Sequence, residues 1–302
     1  MDSSQETVQV RDDHLANDVT QSQTATNDAM RMGDALITLA KLKQADIERI
    51  LALQANKNLL FGEAAKQLGL ITEADLQKVL SQQFNYAYLQ DDTQNLSPLL
   101  AAAHAPFSIE VEHLRSLRSQ LLIRWFDQGH KTLAITSVTK QEDASQFAAN
   151  LAIVFSQLNK KTLLIDANLR QSNQHKLFNI KTKIGLANIL ANRQGRYELT
   201  RPQSLPNLAI LTAGTAVPNP QELLSQTRFA ELLADLENIY DIILIDTLPL
   251  ELGSDMLTVV SKVKAAVIVA KKDVTLAADL QNLKQQLALT DAKILGSVFL
   301  DA

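Results

Sequence analysis

Thr132-Leu-Ala-Ile-Thr-Ser-Val-Thr-Lys-Gln-Glu-Asp-Ala-Ser-Gln-Phe-Ala-Ala-Asn-Leu-Ala152 decides how the C-terminal part of this chain folds. It opens with an apolar run of strand length (132–138), passes through a polar turn and re-enters an Ala-rich helical pattern. Similar short runs recur at 162–166, 208–213, 242–246, 266–270 and 294–299. Each is rich in Ile, Leu or Val and apolar throughout, which is how strands covered on both faces read. Helical stretches separate them, and a further helix spans 110–126. Strands alternating with helices predict an α/β domain with a parallel sheet and right-handed crossovers. Ligands of such sheets sit at the strand C-terminal ends, so the residues just after each run are where chemistry is expected.

After the first strand comes Thr136-Ser-Val-Thr-Lys-Gln-Glu-Asp-Ala-Ser145 and then a helix through Asn150. A strand, a loop of this length and a helix form the layout of a phosphate-binding loop. That layout needs Gly so that successive N–H groups can curl around a phosphate, a Lys for the β- and γ-phosphates, and a Ser or Thr for Mg²⁺. Ser145 meets the last requirement. Gly is scarce, 9 in 302 residues, and none lies between His130 and Ile184. The second strand ends in Asp166 and the fourth in Asp246. A single strand-end Asp reads rather as the cap of the following helix. Two of them beside a loop of this shape favour a metal-and-phosphate ancestry, since Mg²⁺ takes oxygen ligands.

Residues 107–300 resemble the bacterial tyrosine autokinases of polysaccharide export, which are modified P-loop proteins related to the MinD and ParA ATPases. The likeness is greatest to the stand-alone chain-length-determinant kinases of exopolysaccharide clusters. It is carried by Glu112-x-x-Arg115-x-x-Arg118, which matches the family's oligomerisation helix, and by Ala149-Asn150-Leu151-Ala152 after the Walker A loop. Leu163-Leu-Ile-Asp166 with Arg170 matches Walker A′, and Asp241-Ile-Ile-Leu-Ile-Asp246-Thr247 matches Walker B. Gly214 and Pro218-Asn-Pro-x-Glu-Leu-Leu224 complete it. The resemblance implies ATP and Mg²⁺ as cofactors. Asp166 and Asp246 become the catalytic acids, Ser145 joins them as a metal ligand, and Lys140, Ser145 and Asn150 face the nucleotide. It also implies a homo-oligomer, charge-paired through Glu112, Arg115 and Arg118, and a membrane-bound polysaccharide chain-length-determinant protein as partner.

The departures from the family are specific. Where the family runs Gly-x-Gly-Lys-Ser, this chain has Gln141-Glu-Asp-Ala-Ser145 at unchanged loop length. Two Gly conformations are lost, the phosphate cation is Ala144, and Glu142 and Asp143 are expected to face the triphosphate position. Like charges there oppose binding. Asn168 replaces the second Walker A′ acid. The family's acceptor tyrosines are C-terminal, whereas the four here are Tyr86, Tyr88, Tyr197 and Tyr240. The acids Asp166 and Asp246 thus read as vestiges.

Upstream lies an internal repeat. Residues 31–54 and 60–83 align without gaps, pairing Gly33 with Gly62, Asp46 with Asp75, and Gln54 with Gln83. Each copy reads as two short helices, and Thr72 with Asp75 reads as an N-cap. This region resembles the MshEN domain of type II secretion and pilus ATPases, some of which bind cyclic di-GMP. By that likeness Arg31, Gly33, Gln54, Gly62, Gly69 and Gln83 are the candidate contacts; Leu60 stands where the second copy would carry Arg. A helical docking module without ligand is the other reading. The expected division is a disordered acidic tail (1–28), a helical domain (29–90), a linker (91–106) and the P-loop domain (107–302).

Composition bounds the rest. With 46% hydrophobic and 21% charged residues the chain can bury a core. No apolar run reaches the ~18 residues of a membrane helix. Cys is absent, so disulfides, thiolate metal sites and Cys nucleophiles are excluded. The net charge of −4 argues against nucleic acid. The expectation is a cytoplasmic, catalytically degenerate tyrosine-kinase homologue, held at the inner membrane through its partner, that regulates exopolysaccharide assembly by docking. A working kinase in which Lys140 replaces the missing cation, and a cyclic-di-GMP-responsive adaptor, are the alternatives.

Overall fold

A computed structural model of the chain describes residues 42–57, 59–72, 75, 95–191 and 199–301. Two units divide it, Met1–Asn85 and Tyr86–Ala302. The expected tail, Arg31, Gly33 and Gln83 lie outside the described residues.

In the N-terminal unit, helices α1 (Gln44–Lys57) and α2 (Phe61–Gln67) pack Ile50, Phe61, Ala64, Ala65 and Ile71 into a small core. The repeat is visible as repeated hydrogen bonding. Asp46 Oδ2 accepts the Lys43 N–H at 3.1 Å, and its counterpart Asp75 Oδ2 accepts the Thr72 N–H at 2.8 Å. The Thr72 hydroxyl in turn accepts the Asp75 N–H, so the predicted cap is present. Gly69 has φ +68° at the end of α2, where Leu70 N–H reaches back to Ala65 O at 3.0 Å. That left-handed closure is a reason for glycine here independent of any ligand.

The C-terminal unit runs α3 (Ala101–His104), α4 (Ile109–Arg124), β1 (Thr132–Ser137), α5 (Ala144–Ser156), β2 (Thr162–Asp166), α6 (Gln174–Leu177), α7 (Leu186–Leu190), β3 (Leu208–Leu211), α8 (Pro220–Ser225), α9 (Thr227–Glu237), β4 (Ile242–Asp246), α10 (Asp255–Val263), β5 (Ala265–Lys271), α11 (Ala277–Ala288) and β6 (Lys293–Leu300). The six strands make one parallel sheet in the order β3-β2-β4-β1-β5-β6. Successive strand residues alternate between two apolar layers. Leu133, Ile135, Leu164 and Leu244 join Leu151 and Phe155 of α5 on one face. Ala134, Leu163, Ile165, Ile243 and Ile245 join Phe229, Met256 and Val260 on the other.

Two expectations change. The presumed linker is, from residue 95 onward, part of this unit. Leu96, Leu100, Ala102 and Ala103 enter the α5-side core, and the Asn150 side chain binds the Ala102 N–H and the Leu99 carbonyl. Ser-Pro and Ala runs looked like spacer because the side chains that hold their backbone, Asn150 and Gln157, are some fifty positions away. And β6 is not covered on both faces: it is a sheet edge with Phe299 63% exposed.

Candidate functional site

The β2–β4 register sets Asp166 directly beside Asp246, both fully buried at the strand tips. Burial holds Asp166 well above the usual carboxylate range, and the neighbouring Asp246 raises it further. The N–H groups of Gln174, Asn173 and Asn168 act the other way. Burial also pushes Asp246 up to about 6, against the lowering effect of Gln174 and the Ser145 hydroxyl. Gln174 ties the pair together: its Nε2 donates to Asp246 Oδ2 at 2.7 Å and to the Ser145 carbonyl at 2.9 Å. Asp246 Oδ1 is buried and makes no hydrogen bond of normal geometry among the described residues.

A raised carboxylate pKa destabilises the fold where the group must ionise. Between the unfolded value near 4 and the folded value near 6, the native state holds the extra proton. Its contribution is therefore complete at low pH and is lost as pH rises through 6. Asp246→Asn should remove this loss, so its stability gain over wild type should grow by about 2 kcal/mol from pH 4.5 to 7.5. Urea unfolding at both pH values reads it, and an equal gain at both refutes the assignment.

The loop over this pair keeps the shape of a phosphate loop by different chemistry. Asp143 itself adopts the left-handed conformation (φ +49°, ψ +31°) that a glycine would take. Asp tolerates it at a cost of about 1 kcal/mol. Glu142 does not face the cavity. It is fully buried, and its Oε2 accepts the Val138 and Thr139 N–H groups at 2.6 and 3.0 Å, while Oε1 accepts the Thr275 hydroxyl. Asp143 pairs with Lys271 at 3.0 Å. The expectation that both acids face the triphosphate position is corrected for Glu142, which is consumed inside its own loop; Asp143 does line the adjoining cavity, with its charge paired to Lys271 at the end of β5. Ala144 is 7% exposed and belongs to the core.

Beside the loop opens a cavity of about 630 Å³. Ser145, Lys140, Lys176, Asn168 and Thr247 line it, with the N-terminus of α5 at its wall. Lys140 is among these lining residues, and its N–H is fixed by Glu251 Oε1 at 2.7 Å. Asn150 lines a neighbouring groove, and its amide is engaged by backbone groups. The orphaned Asp246 oxygen and the adjacent Ser145 fit a Mg²⁺ ion in chemistry and charge. The phosphate half fits less well, since no cation stands at position 144.

Arg170 forks onto Asp255 of α10 with contacts of 2.7 and 3.0 Å, joining the loop after β2 to the start of α10. On α4, Arg115 pairs with Glu112 and with the Pro106 carbonyl of its own chain, and stands over Phe107. Arg118 is buried and donates to the Val154 carbonyl of α5 at 2.7 Å. Of the three proposed assembly residues Glu112 presents the most free surface, at 60% exposure. In the N-terminal unit Gln54 is half-buried and Gly62 buried. Gln174, Lys176 and Lys271 carried no sequence signal, because isolated polar residues gain meaning only from what faces them.

The family model described as an AAA domain matches residues 144–292. CapB of Staphylococcus aureus is 32% identical over 193 residues, covering 64% of this chain and 85% of CapB. The tyrosine-protein kinase YwqD of Bacillus subtilis (strain 168) is 32% identical over 193 residues, or 64% of this chain and 81% of YwqD. The solved kinase domain of the Escherichia coli tyrosine kinase ETK is 28% identical with a TM-score of 0.65, over 71% of this chain and 84% of that domain.

Proposed function

The chain belongs to the bacterial tyrosine-protein kinase family, and we propose that it regulates exopolysaccharide polymerisation and export by docking to a membrane-bound chain-length-determinant protein, not by phosphoryl transfer. Phosphoryl transfer depends on positioning and on charge stabilisation around the phosphates. The observation that carries this reading is Ala144, a core residue at the cation position, beside a loop whose Glu142 is bound to its own backbone. The proposed place of action is the cytoplasmic face of the inner membrane, reached through the partner. No helix among the described residues is long and apolar enough to cross a membrane.

Calorimetric titration of the full chain with ATP and Mg²⁺ tests this. The expected result is no binding in the micromolar range. Gln141→Gly, Asp143→Gly and Ala144→Lys together should raise affinity measurably, because the Asp246 and Ser145 side of the site is retained. Micromolar binding by the unmodified protein, or labelling of a partner's tyrosines, overturns the reading. An active kinase then takes its place, with Lys140 and Lys176 as the phosphate cations, a reading favoured by their position in the cavity wall.

A further inference from the structure

All six strands run parallel, so their starts share one end of the sheet, opposite the candidate site. That end carries a row of lysines. Lys131, Lys161 and Lys264 immediately precede β1, β2 and β5, and Lys293 is the first residue of β6. The strand order sets them out as Lys161, Lys131, Lys264 and Lys293, with Asp241 before β4 between the first two. Backbone bonds fix the row: the carbonyls of Lys161, Lys131 and Lys264 accept the N–H groups of Asp241, Ile243 and Lys293 at 2.9, 2.7 and 2.9 Å. Lys160, Lys161, Lys264 and Lys293 are exposed and Lys131 half-buried. Among the described residues none of the five ammonium groups pairs with a carboxylate. In the segments leading from helix ends into β1, β2, β4, β5 and β6, these five lysines stand against Asp127, Asp241 and Asp291. That is a surplus of two cations in a chain whose net charge is −4. The same segments expose Leu158, Ile239 and Leu289, the last by 86%. The carbonyl ends of the helices favour cations here, but they give no reason for leucine.

We propose that this end of the sheet is a contact surface for an anionic lipid bilayer. Cations with exposed aliphatic side chains among them match the two layers such a surface offers. Ammonium groups meet the headgroup phosphates and carboxylates, and leucine and isoleucine enter the boundary of the acyl chains. A nucleic acid would use the lysines and leave the apolar side chains in water. From β2 to β6 the row spans four strand spacings, about 19 Å, wide enough to meet several headgroups at once. The cavity at the strand C-terminal ends then faces away from the bilayer, open to the cell interior. A surplus of two charges makes the contact weak and reversible on its own, so it adds to a protein partner's hold without replacing it. The proposal is independent of that partner and of whether the cavity binds nucleotide, because protein-free vesicles suffice to test it.

Flotation of the full chain with phosphatidylcholine vesicles that contain phosphatidylserine is the experiment. Binding is expected at low ionic strength, and neither in molar salt nor with phosphatidylcholine alone. Lys160→Gln together with Lys161→Gln should lower the partition coefficient about 30-fold. Both side chains are exposed, so circular dichroism should be unchanged. Should that variant misfold, Lys264→Gln with Lys293→Gln carries the same test. Lys272→Gln removes a charge just beyond the other end of β5 and should change the coefficient less than about twofold. Leu289→Ser should weaken binding and leave its salt dependence in place. No binding to the anionic vesicles, equal binding to neutral ones, full retention by the lysine or leucine variants, or binding of duplex DNA in place of the vesicles each overturns the proposal.

Discussion

Gly185→Ala should cost the C-terminal unit about 3–5 kcal/mol, enough to bring it near unfolding at ambient temperature. Gly185 has extended backbone angles that any residue adopts, so the cause is space. A Cβ there would stand 2.1 Å from the Thr212 carbonyl oxygen and 2.4 Å from the Gly214 nitrogen, both backbone atoms. The chain comes this close because Leu186 and Ala187 at the start of α7 donate to the Thr212 and Ala213 carbonyls at 2.8 and 2.9 Å. Asn188 locks the junction, its Oδ1 accepting the N–H groups of Gly185 and Thr215. Alanine would have to break these bonds or move the turn after β3. Gly129→Ala is the matched control, with φ +93° and open space around it, and should cost about 1 kcal/mol of conformational strain. Denaturant unfolding of the two variants compares them directly. Equal losses would show that the close approach is not a real constraint.

Glu142→Ala should destabilise the same unit by about 3–4 kcal/mol, because it leaves the Val138 and Thr139 N–H groups and the Thr275 hydroxyl without their acceptor. Glu142→Gln should lose only about 1 kcal/mol, since one amide oxygen can accept both N–H groups and the amide nitrogen can donate to Thr275. Neither change should raise ATP affinity. This separates two physical pictures of the loop. If Glu142 repelled phosphate from the cavity, Gln would improve binding and cost little stability. If it is an internal strut, its removal loosens the loop and improves nothing. Unfolding midpoints and nucleotide titrations on both variants decide between them, and improved ATP binding by Glu142→Gln would restore the repulsion picture.

The six apolar runs were enough to predict six parallel strands: in five of them burial on both sheet faces writes a continuous hydrophobic run, and β6 carries a similar run at an exposed edge. The strand-end acids Asp166 and Asp246 were legible for the same reason: charge at the end of such a run has no bland explanation once it occurs twice beside a loop of fixed length. The Thr72–Asp75 cap was legible because its partners are three residues apart. The tertiary structure alone decided the rest. Glu142 and Asp143 read as two free charges, and only the approach of Thr275 and Lys271, more than a hundred residues on, turns them inward or neutralises them. Arg118 read as a charge for pairing with a neighbouring subunit, and only the fold sets the Val154 carbonyl of α5 within its reach. Gln174 carried no signal at all until folding set its amide between Asp246 and Ser145. Periodicity and caps are written locally in the chain, whereas the partner of a polar side chain is fixed by packing, so the same residue type serves as repellent, strut or surface charge according to what the fold brings against it.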